Sequence, residues 1–237
     1  MSLTREQIRA GWVQNLVATS GLPLKALSED ELRRSREQVL AAHPPGRDLA
    51  LFAYGSLIWN PAFHYIRREI ATVRGHHRRF CLWTELGRGS PDRPGLVLGL
   101  DRGGSCRGVL YWIAAAEIES ELDIVWRREM VTSAYRPSWV TARTERGPVP
   151  AVTFLINREH ERYSGRLGDE AIVRAIATAT GPIGPCADYL FNTTAHLDEL
   201  GITDRSLHRL CRAVRAFQKG QASAGTGTVP LAEGARR

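Results

Sequence analysis

Residues 51–60 read LFAYGSLIWN, and this stretch decides the fold that we expect around it. Its apolar beginning, bounded by glycine and then by an Asn-Pro pair, is typical of a buried strand that runs into a turn. Gly55 permits backbone angles that a β-carbon would forbid and lets a ligand approach the main chain, while Tyr54 and Ser56 add two hydroxyls. Such a turn can bind a carboxylate or a carbonyl oxygen through its backbone N–H groups. The alternative interpretation is a simple exit from a strand into a loop.

The composition predicts one large globular domain with an ordinary core. The chain has 237 residues, of which 43% are hydrophobic and 24% are charged. Its net charge of +7 is one feature of nucleic-acid-binding proteins, but no run of Lys or Arg exceeds two residues and no nucleic-acid motif occurs. We therefore expect a basic surface that favours small anionic substrates, and no nucleic-acid partner.

The cysteines and histidines exclude several kinds of site. The four cysteines lie far apart without a C-x-x-C pair, which favours reduced thiols in a cytosolic protein. The seven histidines show no metal-ligand spacing, and no glycine-rich phosphate or dinucleotide motif occurs, so we expect neither a metal nor a cofactor. No signal peptide and no apolar run of membrane-spanning length are visible. These features predict a cytoplasmic protein with no membrane partner, and they leave the oligomeric state open.

The two ends of the chain are predicted to flank the main domain. Residues 1–47 read as an N-terminal helical extension, because capping-box patterns at Thr4 and Ser28 open two helices and a Pro-Pro-Gly break follows them. The last predicted helix runs from Asp204 to Lys219. Residues 220–237 are rich in Gly, Ala and Ser, which predicts a disordered tail.

Residues 48–219 are predicted to form the main domain, with strands first and helices later. Two predicted strand pairs flank turn signals at Gly75 and at residues 101–104. The polar loop at 85–95 contains glycines and prolines, and loops of this kind often line a site. Further strands are expected at 139–144 and 152–156, and further helices at 168–180 and 186–200.

One carboxylate stands out in the predicted helix over residues 114–130. Ile118, Leu122 and Val125 share one apolar face, and the next position on that face is Glu129. Burial and the negative end of the helix dipole should both raise the pKa of this carboxyl, which suits it to proton transfer near neutral pH. The alternative is a structural ion pair with one of three nearby arginines, Arg127, Arg128 or Arg136.

Five segments in a fixed order carry a family resemblance over about residues 51–210. They read FAYGSLIWNPAF, VRGHHRRFCLW, RPGLVLGLDRGGSCRGVLYW, WRREMVTSAYRPSWV and GPCADYLFNTTAHLDELGI. Together they resemble the ChaC family of glutathione-specific γ-glutamylcyclotransferases, and the leucine of YGSL suits this branch better than relatives with asparagine there. The resemblance implies an α+β fold, a small mixed β-barrel with surrounding helices.

The resemblance also implies roles for individual residues. Glu129 matches the catalytic acid/base of the family. The substrate-binding positions that it implies are Tyr54, Gly55, Ser56, Leu57, Arg79 and Tyr135. The segment between Glu129 and Tyr135 departs from many relatives, which carry a Gly-Gly-Tyr soon after the glutamate.

The implied reaction turns glutathione, the expected small-molecule partner, into 5-oxoproline and cysteinylglycine without a cofactor. The glycine carboxylate of that substrate needs a cation, and Arg79, Arg88 and Arg93 are available in the sequence. One alternative is a γ-glutamylcyclotransferase that acts on other γ-glutamyl amino acids or amines. Alternatives from another class are a non-catalytic module that binds γ-glutamyl peptides and a basic nucleic-acid adaptor.

Overall fold

The computed structural model describes residues 3–225, and within them five strands close into a barrel in the order β1-β3-β2-β4-β5. The strands are β1 Leu49–Ala53, β2 Arg67–Thr84, β3 Gly95–Ile113, β4 Tyr135–Thr144 and β5 Gly147–Ile156. Neighbours are antiparallel, except where β5 meets β1 and β3 in parallel. The predicted small mixed barrel is therefore confirmed.

Seven α-helices surround the barrel within the same described residues. They are α1 Arg5–Arg9, α2 Trp12–Thr19, α3 Glu29–Leu40, α4 Ile118–Glu129, α5 Asp169–Thr178, α6 Cys186–Glu199 and α7 Arg205–Gly225. Two short strands between α5 and α6, β6 Thr180–Gly181 and β7 Gly184–Pro185, form a separate hairpin. None of the helices described here is long and apolar enough to cross a membrane.

β2 and β3 form one long hairpin, which corrects the two predicted turns. The sequence predicted chain reversals at Gly75 and at residues 101–104, but the strands run through both places until Thr84 pairs with Gly95. Gly75 has a φ of 80° and lies at a shift in the strand register, which is a β-bulge. Glycine occurs in β-bulges as well as in turns, so the sequence alone could not distinguish the two. The actual turn of the hairpin is the loop at 85–94.

The C-terminal helix is longer than the sequence predicted. α7 continues past Lys219 to Gly225, so the predicted start of the disordered tail at Gly220 is wrong. Its small residues, alanine in particular, are compatible with a helix because alanine has the highest helix propensity. The rest of the predicted tail, residues 226–237, lies outside the described residues.

The N-terminal helices pack against α4 and share the core of the barrel. Ile8 and Leu32 are almost fully buried in the same hydrophobic cluster as the strands. The guanidinium of Arg5 binds both carboxylate oxygens of Glu121 at 2.5 and 2.7 Å, and the backbone amide of His64 donates to the same carboxylate at 2.8 Å. Burial alone raises the pKa of Glu121, but these hydrogen bonds outweigh it and the pKa is lowered. The predicted extension is thus anchored by a buried ion pair.

Arg5→Ala is expected to lower the free energy of unfolding by about 3–5 kcal/mol, because it leaves the Glu121 carboxylate buried without its cation. The lowered pKa of Glu121 stabilises the native state above the unfolded pKa, and this contribution is lost as the pH falls through the folded pKa. The variant should therefore lose most stability at neutral pH and less in acid. Urea unfolding measures both effects, with exposed Arg9→Ala on the same helix as the control. Equal unfolding curves for the two variants would show that the ion pair does not anchor α1.

Candidate active site

Glu129 ends α4 on the buried face of that helix, as its spacing predicts. Leu122 and Val125 are fully buried on the same face, and the Glu129 side chain is 14% exposed. Burial raises the pKa of its carboxyl, while the nearby charge of Arg128 opposes that rise. The Nε atom of Arg128 lies 3.3 Å from Glu129 Oε1. The predicted burial is confirmed, and the carboxylate also has an ion-pair partner.

The other two arginines considered as partners of Glu129 bind elsewhere. Arg127 pairs with Glu29 and Asp123, and Arg136 pairs with Glu159. Arg128 itself is 9% exposed, and it also donates a hydrogen bond to the backbone carbonyl of Asn60. A buried cation therefore connects the carboxylate to the chain segment that follows the YGSL turn.

The YGSL turn begins where β1 ends and is held from two sides. The hydroxyl of Tyr54 donates to the Phe154 carbonyl on β5 at 2.8 Å, and Ser56–Ile58 forms a short 3-10 turn. Gly55 has a φ of −134°, so it does not use the left-handed region. A β-carbon at this position would lie 3.1 Å from the hydroxyl oxygen of Tyr189, tighter than most such contacts. Glycine therefore gives Tyr189 room to reach the turn.

Two cavities meet at Glu129. The smaller one, of about 30 Å³, is bordered by the turn and by the predicted acid/base. Its lining includes Tyr54, Gly55, Ser56, Leu57, Glu129, Tyr135 and Tyr189. The larger cavity, of about 220 Å³, shares four of these residues, Ser56, Glu129, Tyr135 and Tyr189. The structure thus brings the predicted turn, Glu129 and Tyr135 together from separate parts of the chain.

Three tyrosines surround this junction: Tyr54 and Tyr189 are buried, and Tyr135 is half-buried. The hydroxyl of Tyr135 donates to the Leu98 carbonyl at 2.7 Å, and Tyr54 donates to β5 as described above. Burial raises the pKa of Tyr54, Tyr135 and Tyr189, and the Glu129 carboxylate adds to the rise. The phenols therefore stay protonated near neutral pH and serve as hydrogen-bonding groups around a carboxylate that can gain or lose a proton.

The larger cavity carries a surplus of positive charge. Arg88, Arg128 and Arg162 line it, whereas Glu129 is the acidic residue among its described lining. Burial lowers the pKa of each of these arginines, yet an arginine remains charged in a protein because its ordinary pKa is so high. The cavity is therefore suited to a small molecule with carboxylate groups.

Comparison with known proteins places this chain in a family. The family model described as "ChaC-like protein" matches residues 49–217, which include the barrel, the turn and Glu129. The chain belongs to the ChaC-like family. The Escherichia coli (strain K12) protein named glutathione-specific gamma-glutamylcyclotransferase is 36% identical over 189 residues, 79% of this chain and 82% of that protein. The Mus musculus protein named glutathione-specific gamma-glutamylcyclotransferase 1 is 33% identical over 147 residues, 60% of this chain and 66% of that one.

A solved structure shows the same fold. The crystal structure of a yeast γ-glutamyl cyclotransferase specific to glutathione matches with a TM-score of 0.67 at 21% identity. The match covers 73% of this chain and 98% of the yeast chain. At this level of identity the likeness concerns the barrel and its helices rather than individual side chains.

Arg79 does not lie where the ChaC resemblance predicts it. Its guanidinium lies 3.6 Å from Asp101 and donates to the Gly165 carbonyl, and among the described residues it lines neither of the two cavities. Successive side chains of a strand point to opposite faces, and the sequence did not show which face of β2 meets the site. Arg93 is exposed in the loop at 85–94, whereas Arg88 from the same loop reaches the larger cavity.

Several site residues of this ChaC-like chain were not predicted from the sequence. Tyr189 is the first of them: it lies on α6 in a buried stripe with Cys186, Leu190 and Thr193, and a tyrosine on such a stripe is a signal that was available. Arg162 follows β5 in an irregular segment, where no periodicity points to a site. Within the described residues, no three His, Cys, Asp or Glu side chains are placed to hold a metal ion.

Proposed function

We propose that this protein is a γ-glutamylcyclotransferase that acts on glutathione and releases 5-oxoproline and cysteinylglycine. The observation that carries the proposal is the buried carboxylate of Glu129, with a raised pKa, at the junction of two cavities in a ChaC-like chain. The names of the Escherichia coli and mouse relatives supply the substrate.

The reaction is an intramolecular aminolysis. The α-amine of the γ-glutamyl group attacks the γ-carbonyl carbon of the same molecule, a new C–N bond closes the five-membered ring, and the amide bond to cysteine breaks. Glu129 takes a proton from the attacking amine and returns one to the leaving nitrogen, so no proton is gained or lost overall. Attacker and target share one molecule, so the enzyme mainly enforces a folded conformer; well-oriented intramolecular attack can lower a barrier by about 7–11 kcal/mol relative to a bimolecular reaction. The raised pKa of Glu129 suits a group that accepts and then donates a proton near neutral pH.

The γ-glutamyl group is proposed to lie at the junction of the two cavities, because the smaller one, of about 30 Å³, has room for only part of it. Residues Gly55, Ser56 and Leu57 line this smaller cavity together with Tyr135 and Tyr189. Backbone N–H groups of the turn and the phenol of Tyr189 are the donors that stabilise an oxyanion as it develops on the γ-carbonyl. The Tyr135 hydroxyl already donates to the Leu98 carbonyl, so it is proposed to accept a hydrogen bond from the substrate. The turn, Tyr135 and Tyr189 therefore have proposed roles in binding the substrate and the transition state.

The glycine end of glutathione extends into the larger cavity in this proposal. Arg162 and Arg88 line that cavity in addition to Arg128, and an arginine–carboxylate contact is charge-assisted and can be bidentate. Arg88 therefore remains a candidate for binding the glycine carboxylate, and Arg162 takes the place of Arg79 and Arg93. Binding energy from this end can hold the γ-glutamyl arm in the folded conformer, so its loss should lower turnover as well as affinity.

A substrate panel tests the proposal. Glutathione is expected to form 5-oxoproline at least about tenfold faster than γ-glutamylcysteine and γ-glutamylalanine, because only glutathione offers the glycine carboxylate. Initial rates at equal concentration give the comparison. Equal rates on all three substrates would assign the chain to cyclotransferases of general γ-glutamyl amino acids or amines. Binding of glutathione without any 5-oxoproline would indicate a non-catalytic γ-glutamyl-peptide-binding module.

We also propose the cytoplasm as the compartment. The four cysteines, Cys81, Cys106, Cys186 and Cys211, are all buried free thiols. Free thiols persist in a reducing compartment, and this is also where a thiol substrate such as glutathione stays reduced.

A further inference from the structure

The N-terminal part of the chain, chiefly α2, provides one wall of the larger cavity, although it precedes the residues that match the ChaC-like family model. That match begins at residue 49. Apolar side chains from this earlier part of the chain face the cavity: Leu3, Val13, Leu16, Val17 and Leu24. Val17 is buried, whereas the other four are only half-buried, so part of their apolar surface is exposed. We call these five side chains the apolar wall.

The apolar wall is fixed close to Glu129 by hydrogen bonds on both sides of it. The side-chain amide of Gln14 donates to the Arg127 carbonyl at 2.8 Å, and the backbone amide of Leu27 donates to the Val131 carbonyl at 2.8 Å. Arg127 and Val131 each lie two positions from Glu129 in the sequence. The part of the chain that carries the wall is therefore held against the same short segment that presents the proposed acid/base.

The chemistry of the proposed reaction places the cysteine side chain of the substrate in this region. Glu129 must come within hydrogen-bonding reach of the leaving nitrogen, which is the α-nitrogen of that cysteine. The sulfur is separated from this nitrogen by only three covalent bonds. A group attached to the sulfur must therefore lie near Glu129, in the cavity that the apolar wall lines. The thiol of glutathione is too small to cover five apolar side chains, and much of the wall would stay in contact with water.

We propose that the larger cavity also accepts glutathione thioethers, in which the sulfur carries an apolar substituent that packs against the apolar wall. This inference rests on the proposed function. The reaction is unchanged: the γ-glutamyl amine closes the ring, the same amide bond breaks, and the products are 5-oxoproline and an S-substituted cysteinylglycine. The thioether bond stays intact. Apolar surface removed from water on both partners favours this binding over that of glutathione itself.

Binding is the first part of the test, and it does not depend on turnover. Calorimetry with the Glu129→Gln protein gives the Kd values of glutathione, S-hexylglutathione and S-carboxymethylglutathione. We expect S-hexylglutathione to bind at least about tenfold more tightly than glutathione, and the charged S-carboxymethyl compound to show no such gain. S-hexylglutathione that binds no more tightly than glutathione would overturn the proposal.

The second part of the test uses variants of the apolar wall. Leu16→Asn, and the nearly isosteric Val13→Thr in case the first variant folds poorly, should lower the ratio of the kcat/KM values for S-hexylglutathione and glutathione by about tenfold. Ala18→Asn is the matched control, because Ala18 is exposed on the same helix and does not line the cavity; its ratio should equal that of the wild type. An unchanged ratio in both wall variants would refute the role of the wall.

The two parts separate this inference from the proposed function. If neither glutathione nor S-hexylglutathione yields 5-oxoproline, the cyclotransferase proposal fails. The calorimetric comparison still decides whether the wall binds apolar S-substituents. If glutathione is turned over but S-hexylglutathione is neither preferred in binding nor cleaved, the proposed function stands and the thioether inference is wrong.

Discussion

Glu129→Gln is expected to lower the rate of 5-oxoproline formation by about 10²–10⁴-fold while the protein still folds. Glutamine keeps the shape of the side chain and an oxygen that can accept a hydrogen bond from Arg128, but it cannot take a proton from the attacking amine. The fold should not weaken, because burial raises the pKa of the native carboxyl above its unfolded value, and Arg128 keeps hydrogen bonds to the glutamine oxygen and to the Asn60 carbonyl. Such a carboxylate costs stability at neutral pH, and glutamine removes that cost.

Activity and stability measured on the same samples distinguish catalysis from structure. Glu119→Gln is the control, because Glu119 lies on the same helix and its side chain is 71% exposed. We expect wild-type rates and an unchanged melting temperature for the control. A Glu129→Gln protein that retains activity within a few-fold would move the proton transfer to another group. A melting temperature that falls together with activity would favour the structural ion pair with Arg128.

The sequence predicted the elements of the site better than the way they are assembled. The apolar residues before Glu129 are spaced three and four positions apart, and this spacing was enough to predict that Glu129 lies on the buried face of α4. The helical period fixes which side chains share a face. The apolar stretch before the YGSL turn likewise predicted β1. The closure of the barrel depends on the register of β2 against β3 over their full length, and glycines at Gly75 and in residues 101–104 looked like turns. Local signals do not separate a bulge from a turn.

The directions of side chains were a second feature of the site that the sequence could not predict. Arg78 and Arg79 are neighbours on β2, and alternation puts them on opposite faces, but neither belongs to the described lining of the two cavities, because Arg78 pairs with Asp204 on the other face. Arg79 pairs with Asp101 instead, while Arg162 reaches the cavity from a segment without any period. The position of the apolar wall could not be predicted either. In the sequence Val13 and Leu16 look like an ordinary apolar helix face, and only the docking of α2 against α4 brings them to the site.

Arg128→Met is expected to lower kcat/KM near neutral pH by about 10²-fold, because it removes one partner of a buried charge pair beside the reacting groups. The guanidinium lies 3.3 Å from the Glu129 carboxylate and favours its charged form. Methionine fills similar space but leaves burial as the dominant influence, so the pKa of Glu129 should rise further above its ordinary value. The lost hydrogen bond to the Asn60 carbonyl adds a smaller penalty.

The pH dependence of kcat/KM shows in which direction Arg128→Met shifts the pKa of Glu129. In the proposed mechanism Glu129 must be unprotonated to accept the proton of the amine, so activity falls as the pH drops through its pKa. Because the pKa is already raised, the acidic limb of kcat/KM should lie above that of an ordinary carboxyl, and in Arg128→Met it should move to still higher pH. Part of the lost activity should therefore return as the pH rises. Arg128→Lys keeps the positive charge and should leave the limb closer to that of the wild type.

Arg127→Met is the matched control for this prediction. Arg127 precedes Arg128 in the sequence, but its guanidinium pairs with Glu29 and Asp123, and its side chain is not among the described lining of the larger cavity. Losing it should weaken the docking of α3 against α4 and lower the melting temperature, with no displacement of the acidic limb. A limb that stays in place in Arg128→Met, or that moves equally in both variants, would mean that Arg128 does not set the protonation of Glu129. The buried pair would then serve the fold, and the proton transfer would need another explanation.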